Sequence, residues 1–270
     1  MEIEETIKRI RQNTTQETTS KYGCNLCKDE GWIGYTGTDG HFYCRECECG
    51  LIQKKKINGY LTFASIPERY KNLRFVDFEV KWYAGLDVET AEKDLKVCRY
   101  YVQNYFSVPP GRGLYLFSNT KGTGKTRMAS IIASELVRKG IEVKFATSGQ
   151  ILDEIKKTWN NESDYSESGL MNDLVKADIL IIDDFGADAA KDWRNEKFYN
   201  IINSRYISMR PTIYTSNYNL EDLERIGYDG RIISRIRESC YLIPFPGESV
   251  RDAKSKENQM EMKSWMHVGK

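Results

Sequence analysis

The chain has almost no net charge and no long apolar run. Its 40 Lys and Arg residues stand against 39 Asp and Glu, a formal net charge of +1, so no global positive field draws nucleic acid by charge alone. Acidic and basic residues also balance within residues 1–60. Any nucleic-acid contact must therefore come from a local patch or from the assembly of several subunits. No stretch approaches the ~20 apolar residues that span a bilayer. The first 20 residues are charged and polar, without the apolar centre of a secretory signal. These absences point to a cytoplasmic protein with no membrane partner. No internal repeat is visible. What is present, 270 residues with 40% hydrophobic content, suffices for one large domain or for a small one followed by a mid-sized one.

One stretch is more informative than any other. Residues 114–126 read LYLFSNTKGTGKT. A short apolar run, read as a buried strand, breaks into a loop made of Asn119, Thr120, Lys121, Gly122, Thr123, Gly124, Lys125 and Thr126. Backbone N–H groups of such a turn, aimed inward at a helix N-terminus, cradle an oligophosphate. Lys125 would reach the β- and γ-phosphates, and the Thr126 hydroxyl would ligate Mg2+. The helix runs from Arg127 to Lys139, with Met128, Ile131, Ile132, Leu136 and Val137 at helical spacing, and stops at Gly140. The loop departs from G-x-x-x-x-G-K-[ST] at Asn119, which stands where the first glycine belongs. Asn is the non-glycine residue that best tolerates positive φ, so the expectation is that Asn119 supplies that backbone and preserves the turn. The chain is expected to bind a nucleoside triphosphate.

Two further strand tips carry polar groups. Residues 179–182, Ile-Leu-Ile-Ile, end in Asp183 and Asp184. A buried strand that delivers two carboxylates is costly unless they have partners, and Mg2+ and an attacking water are suitable ones. Asp183 would hold the metal, and Asp184 would orient the water. Residues 212–217, Thr-Ile-Tyr-Thr-Ser-Asn, repeat the device. Asn217 could hydrogen-bond the γ-phosphate or the water, although Asn also commonly ends strands in turns.

Five of the 7 cysteines fall between Cys24 and Cys49, as Cys24-x-x-Cys27 and then Cys44-x-x-Cys47-x-Cys49. In a cytoplasmic chain such spacing reads as metal ligands rather than disulfides. Two C-x-x-C knuckles fit a tetrahedral zinc site, each supplying two thiolates from a tight turn. The expected ligands are Cys24, Cys27, Cys44 and Cys47, with Cys49 or His41 as possible substitutes. Four protein ligands leave no open position, so the site is structural. Cys98 and Cys240 read as core residues of a helix and a strand.

Residues 1–60 read as a short amphipathic helix with Ile3, Ile7 and Ile10 at helical spacing, a polar stretch, and the zinc module. Residues 61–110 read as a connector and a helix over 89–106, and 111–270 as the nucleotide-binding domain. Lys54, Lys55 and Lys56 read as a solvated face or a phosphate contact. Strands are expected at 114–118, 141–147, 179–182, 212–216 and 241–245, alternating with helices. That alternation argues for an α/β fold with a parallel sheet and ligands at the strands' C-terminal ends.

A glycine loop after the first of these strands, paired acids after the third and an Asn after the fourth resemble an AAA+ P-loop ATPase. The resemblance tightens at Gly230-Arg231-Ile-Ile-Ser-Arg235-Ile-Arg237 and Pro246-Gly-Glu-Ser-Val-Arg251, together with Ile66-Pro67-Glu68-Arg69-Tyr70 and Asp184-Phe185-Gly186-Ala187. These segments are similar to the AAA+ replicative helicase loaders of the DnaC/DnaI type, whose DnaI-like and phage members carry a Cys-rich N-terminal module. The resemblance covers roughly residues 22–251. It implies ATP as the nucleotide and an AAA+ domain with a five-stranded parallel sheet behind a small zinc-binding domain. It assigns Lys125 and Thr126 to the Walker A role, with Arg127 beside them at the nucleotide. Asp183 and Asp184 take the Walker B role, and Asn217 the sensor 1 role. Arg235 matches the arginine finger that acts on the ATP of a neighbouring subunit, with Arg231 and Arg237 close enough to exchange into it. Arg251 matches the sensor 2 arginine, which touches the γ-phosphate within its own subunit. Asp184 stands where many relatives of the wider superfamily carry Glu, and its shorter side chain implies slow hydrolysis.

The resemblance further implies an ATP-dependent loader that delivers a hexameric replicative DNA helicase onto single-stranded DNA, self-associating through its ATP junctions. The segment 151–159, with Lys156, Lys157 and Trp159, reads either as a DNA contact or as an amphipathic helix with solvated lysines and a core-facing Trp. Two other functions compete: a transposition helper ATPase of the IstB type, against which the Cys-rich N-terminus counts, and a non-hydrolysing zinc-dependent adaptor.

Overall fold

Alternation along five short strands sets the architecture of the larger unit. In β3 (Gly113–Phe117), Leu114 and Leu116 enter one apolar cluster and Tyr115 the other. In β5 (Ile179–Asp183), Ile179 and Ile181 face the first cluster, and Leu180 and Ile182 the second. Both faces of each strand are thus buried, and helices must cover the sheet on both sides. The computed structural model describes residues 24–28, 30–38, 40–49, 66–160, 162, 166–187 and 192–267. They belong to two units, Met1–Thr62 and Phe63–Lys270. The expected helix with Ile3, Ile7 and Ile10, and the run Lys54 to Lys56, lie outside the described residues. Among the described residues no helix is long and apolar enough to cross a membrane.

The described part of the first unit is a hairpin. β1 (Trp32–Thr36) pairs antiparallel with β2 (Phe42–Glu46), Gly34 opposite Cys44. Tyr35 and Tyr43 stand opposite each other in the register, ring centroids 5.8 Å apart.

The second unit is a three-layer α/β domain. After three 3-10 turns come α1 (Leu86–Gln103), β3, α2 (Lys125–Arg138), β4 (Val143–Thr147), α3 (Ser148–Trp159), α4 (Glu167–Lys176), β5 and α5 (Asp192–Ile207). Then follow β6 (Thr212–Ser216), α6 (Leu220–Arg225), α7 (Gly230–Ser239), β7 (Cys240–Pro244) and α8 (Val250–His267). The sheet is wholly parallel in the order β4-β5-β6-β3-β7, so β3 lies between β6 and the edge strand β7. This is the α/β AAA+ fold, and every expected strand is present within one or two residues. Thr147 closes β4 and caps α3 with no intervening loop: its hydroxyl accepts from Gln150 N (3.1 Å), and the Gln150 carboxamide accepts from Thr147 N (2.9 Å). The stretch 66–85 is more than a connector. Ile66, Phe75, Phe78 and Tyr83 are buried in the same cluster as Ala91 and Cys98 of α1 and Met128 of α2, so apolar anchors fasten it to the domain. Cys98 and Cys240 are buried core residues.

One buried group on α1 opposes stability. Asp94 is 4% exposed, and its Oδ2 has no hydrogen-bond partner. Burial pushes its carboxyl from the ordinary 3.8 up to about 7. The native state therefore holds a proton between about pH 4 and pH 7 that the unfolded chain has released, so stability falls as pH rises through this window and levels off above it. Asp94→Asn is expected to remove that dependence and to stabilise the protein at pH 8 by about 2–4 kcal/mol. Denaturant midpoints at pH 5 and pH 8 check this; an unchanged pH dependence in the variant contradicts it.

Candidate active site

Where β3 ends, the chain must turn sharply enough to aim a helix N-terminus back along the sheet. The left-handed backbone this requires falls on Gly122 (φ 81°) and Gly124 (φ 96°). A Cβ at Gly122 would lie 2.8 Å from Ser249 Oγ, and one at Gly124 would lie 2.8 Å from the Tyr83 hydroxyl oxygen. Asn119 corrects the sequence expectation: it is exposed and is not left-handed. Ser118 makes the first bend instead, its hydroxyl donating to the Pro246 carbonyl (3.0 Å) and accepting from Thr120 N (3.3 Å). Lys125 opens α2 and is 5% exposed. Its Nζ donates to the Thr120 carbonyl (2.9 Å), the Ser118 carbonyl (3.3 Å) and Thr123 Oγ1 (3.3 Å). Burial lowers its pKa to about 8, against the opposing pull of Asp184 and Asp183.

The acidic tip of β5 lies beside this loop. Asp183 is buried, and its Oδ1 accepts from Thr215 Oγ1 at 2.5 Å. Burial and then the neighbouring Asp184 push its carboxyl up to about 6, while hydrogen bonds from Thr215 and Thr126 act the other way. Thr126 and Asp183 thus meet, as a shared Mg2+ requires, and the hydroxyl–carboxylate pair fits that hard cation. Asp184 follows in a left-handed backbone (φ 52°), its N–H donating to Thr215 Oγ1 (2.9 Å). Strain of this kind in a non-glycine residue is characteristic of functional sites. Residues 121–126 of the loop, Asp184, Asn217 and Arg251 line a cleft of about 550 Å³, whereas Asn119 and Thr120 are not among its lining residues.

The family profile described as "IstB-like ATP binding protein" matches residues 46–258. The chain belongs to the IstB-like ATP-binding family. Among curated relatives, the replicative helicase loader DnaC of Escherichia coli K12 is 29% identical over 174 residues, 64% of this chain and 66% of the loader. The chain thus spans just under two thirds of that relative's length. The phage-like element PBSX protein XkdC of Bacillus subtilis is 28% identical over 249 residues, 88% of each chain. Of solved structures, DnaI is similar at 25% identity with a TM-score of 0.55, covering 68% of this chain and 93% of DnaI. The DnaC helicase loader is similar at 25% identity with a TM-score of 0.56, covering 66% and 99%. DnaA from Aquifex aeolicus, at 18% identity, 0.56, and coverage of 73% and 57%, shares the fold.

In this IstB-like ATP-binding protein the cleft has walls that its sequence does not announce. Arg69 and Tyr70 line it from the segment before α1, and Lys254, Ser255 and Asn258 from α8. The two walls are tied: Lys254 reaches Glu79 (3.2 Å) and lies 4.7 Å from the Trp82 ring centroid. Tyr83 donates to the Thr123 carbonyl at 2.8 Å, fastening the same segment to the phosphate loop. Arg127 donates to the Asp77 carbonyl (2.6 Å) and lines the cleft. Arg231, Arg235 and Arg237, on α7, are not among the residues lining the cleft.

In the first unit, the sulfurs of Cys24, Cys27, Cys47 and Cys49 lie within 4.8 Å of one another. Cys44 is not among them, correcting the expected ligand set. It sits inside β2 opposite Gly34 with its side chain exposed, whereas Cys47 and Cys49 follow the strand's end in a turn. His41 is exposed at the other end of β2 and is also outside the cluster. The Cys24–Cys47 and Cys27–Cys49 sulfur separations are 3.7 and 3.6 Å. Tetrahedral zinc with Zn–S of about 2.3 Å demands roughly 3.8 Å, so the donor set fits the metal. Hydrogen bonds from the backbone of Cys27 and then Leu26 bring the Cys24 thiol down to about 7.

Proposed function

We propose that this chain is an ATP-dependent loader that delivers a hexameric replicative DNA helicase onto single-stranded DNA. The observation that carries the proposal is the cleft itself, in which Lys125, Asp184, Asn217 and Arg251 converge while Arg235 lies elsewhere on the same domain. In an assembly, Arg235 is then placed to serve the cleft of a second subunit rather than its own. In this reading, backbone N–H groups of the loop and Lys125 hold the ATP phosphates, with Thr126 and Asp183 as ligands of Mg2+. Asp184 orients the water, and Asn217 and Arg251 contact the γ-phosphate. Arg235 acts on the neighbouring subunit's ATP, which ties assembly to nucleotide state. A trans arginine contributes ~10³-fold or more in rate, so an isolated protomer hydrolyses slowly. The relatives named as replicative helicase loaders support the helicase as partner.

The single-stranded DNA contact rests on α3 and α5. Trp159 is 49% exposed rather than core-facing, and it stacks edge-on against Trp193 with centroids 5.2 Å apart. Lys156 lies 5.7 Å from the Trp193 ring centroid. The exposed Trp159 ring, backed by the half-buried Trp193 and its neighbouring cation, suits the stacking of bases along a charged backbone. Lys157 is held by Glu154. The Cys module is proposed as the zinc-dependent, helicase-gripping part.

Two experiments test the proposal. Co-purification with a replicative helicase, lost on deletion of residues 1–50, supports the loader; capture of a transposase in its place favours the IstB-type helper that the family description suggests. Turnover of ATP, measured with and without single-stranded DNA, separates an enzyme from a non-hydrolysing adaptor, and none in either condition removes the enzymatic reading. For the metal, the purified protein is expected to carry about one zinc per chain. Cys49→Ser should release it and Cys44→Ser retain it; the opposite pattern by metal analysis contradicts the ligand set.

A further inference from the structure

The three arginines of α7 are held in different ways. Arg231 is tied to the helix-capping Asp229, its Nη2 2.7 Å from Oδ2 and its Nε 3.1 Å from both oxygens. Arg237 is paired with Glu221 at 2.9 Å. Arg235 forms no ion pair with a carboxylate among the described residues. Its Nε donates to Asn203 Oδ1 (2.7 Å), its Nη1 to the Arg231 carbonyl (2.9 Å) and its Nη2 to the Tyr199 hydroxyl (3.4 Å). The guanidinium lies 5.0 Å from the Tyr199 ring centroid and 5.7 Å from that of Tyr206. Tyr199, Asn203 and Tyr206 fall at i, i+4 and i+7 of α5, on one helical face.

All of these acceptors are neutral. A carboxylate would fix the guanidinium but also cancel its charge. An amide oxygen and aromatic faces fix its plane and leave the charge available to an incoming anion. We propose that Tyr199 and Asn203 are positioning residues for Arg235: a cradle on α5 that presents an uncompensated guanidinium to the triphosphate held by a second copy of this chain. Arg237 is committed to Glu221, and Arg231, whose guanidinium also lies over Tyr199 at 4.4 Å from the ring centroid, is paired with Asp229, so neither carries a free charge. The inference rests on the trans reading of Arg235 proposed above. Its energetic logic is preorganisation, since a guanidinium already oriented loses less freedom when the junction closes.

The test is steady-state ATP turnover of the full chain at concentrations where it assembles. Asn203→Ala and Tyr199→Leu are each expected to lower kcat about tenfold, with KM and melting temperature unchanged. Tyr199→Phe, which keeps the ring, stays within about twofold of wild type. Placed in an Arg235→Ala background, neither change lowers turnover further, because each acts through Arg235. Should Arg235→Ala collapse turnover while Tyr199→Leu and Asn203→Ala leave it intact, the cradle is wrong and the trans arginine stands. Effects that persist in the Arg235→Ala background would mark Tyr199 and Asn203 as merely structural and also overturn the cradle. Wild-type turnover in Arg235→Ala, or no turnover in the wild type, removes the trans reading and the cradle together.

Discussion

Lys125→Ala is expected to lower ATP turnover by about 10²–10³-fold while leaving the melting temperature unchanged or raised. Lys125 is a buried cation at the start of α2 with no ion pair to a carboxylate among the described residues. Its contacts are loop carbonyls and one hydroxyl, and burial has already lowered its affinity for a proton. A charge kept in that state is a liability to the fold, since desolvation is only partly offset by neutral acceptors. It becomes an asset when an oligophosphate enters the cleft and meets a positive charge that needs no reorganisation. Activity and stability should therefore move apart on its removal. Steady-state turnover, a fluorescent-nucleotide titration and a thermal melt, all on the same preparation, check the claim. Turnover within tenfold of wild type would show that the cleft does not work through Lys125, whatever its shape.

The strands and the phosphate loop were legible in the sequence because they are local. A β-strand buried on both faces leaves a continuous apolar run, and Gly124-Lys125-Thr126 directly after such a run marks a phosphate-binding turn. Asn119 shows the limit of local reading. Its position suggested a left-handed turn, but the side chain of Ser118 and the distant carbonyl of Pro246 shape the bend, and a register of 128 residues is invisible to a motif. The role of Thr215 within the polar tip of 212–217 was hidden for the same reason: it serves both Asp183 and Asp184 from the adjacent strand. The strand pairing that brings them together is a property of the sheet order. Tyr83 lies 40 residues before the Thr123 carbonyl it holds, Arg69 and Tyr70 lie further still from the loop, and none of them carries a periodic signal.

The cysteines failed differently. Both Cys44-x-x-Cys47 and Cys47-x-Cys49 were readable, and spacing favoured the first. The deciding fact is where β2 ends. Inside the strand the side chain of Cys44 is committed to one face of the hairpin, while the turn beginning at Cys47 is free to fold its sulfurs back toward Cys24 and Cys27. Ligand choice followed from the boundary of a strand, the quantity that sequence patterns define least sharply.

Arg205→Ala is expected to destabilise the fold by about 3–5 kcal/mol, the largest single effect outside the cleft. Arg205, near the end of α5, is 0% exposed. Its Nη1 donates to the carbonyls of Leu174 (2.9 Å), Val175 (3.0 Å) and Ala177 (2.8 Å), its Nη2 to those of Pro211 (2.6 Å) and Asp178 (3.4 Å), and its Nε to Thr212 Oγ1 (3.0 Å). The first two are among the carbonyls that α4 leaves unpaired at its C-terminus, where the helix dipole favours a cation. The others lie at the starts of β5 and β6. One planar fork thus joins three elements, and truncation would leave several buried acceptors without donors, each costing about 1–3 kcal/mol if water cannot reach it. Burial lowers the pKa of this arginine to about 10, so it stays charged at neutral pH. Arg205→Lys keeps the charge but not the fork, and should recover only part of the loss. The consequence for activity is indirect but specific: β5 and β6 end at Asp183 and Ser216, so a slip where they begin displaces the acid pair and Thr215 at their other ends. Urea unfolding of both variants gives the measurement. A loss below about 1 kcal/mol for Arg205→Ala would mean that water or local relaxation satisfies those carbonyls, and that the clip does not hold the strands in place.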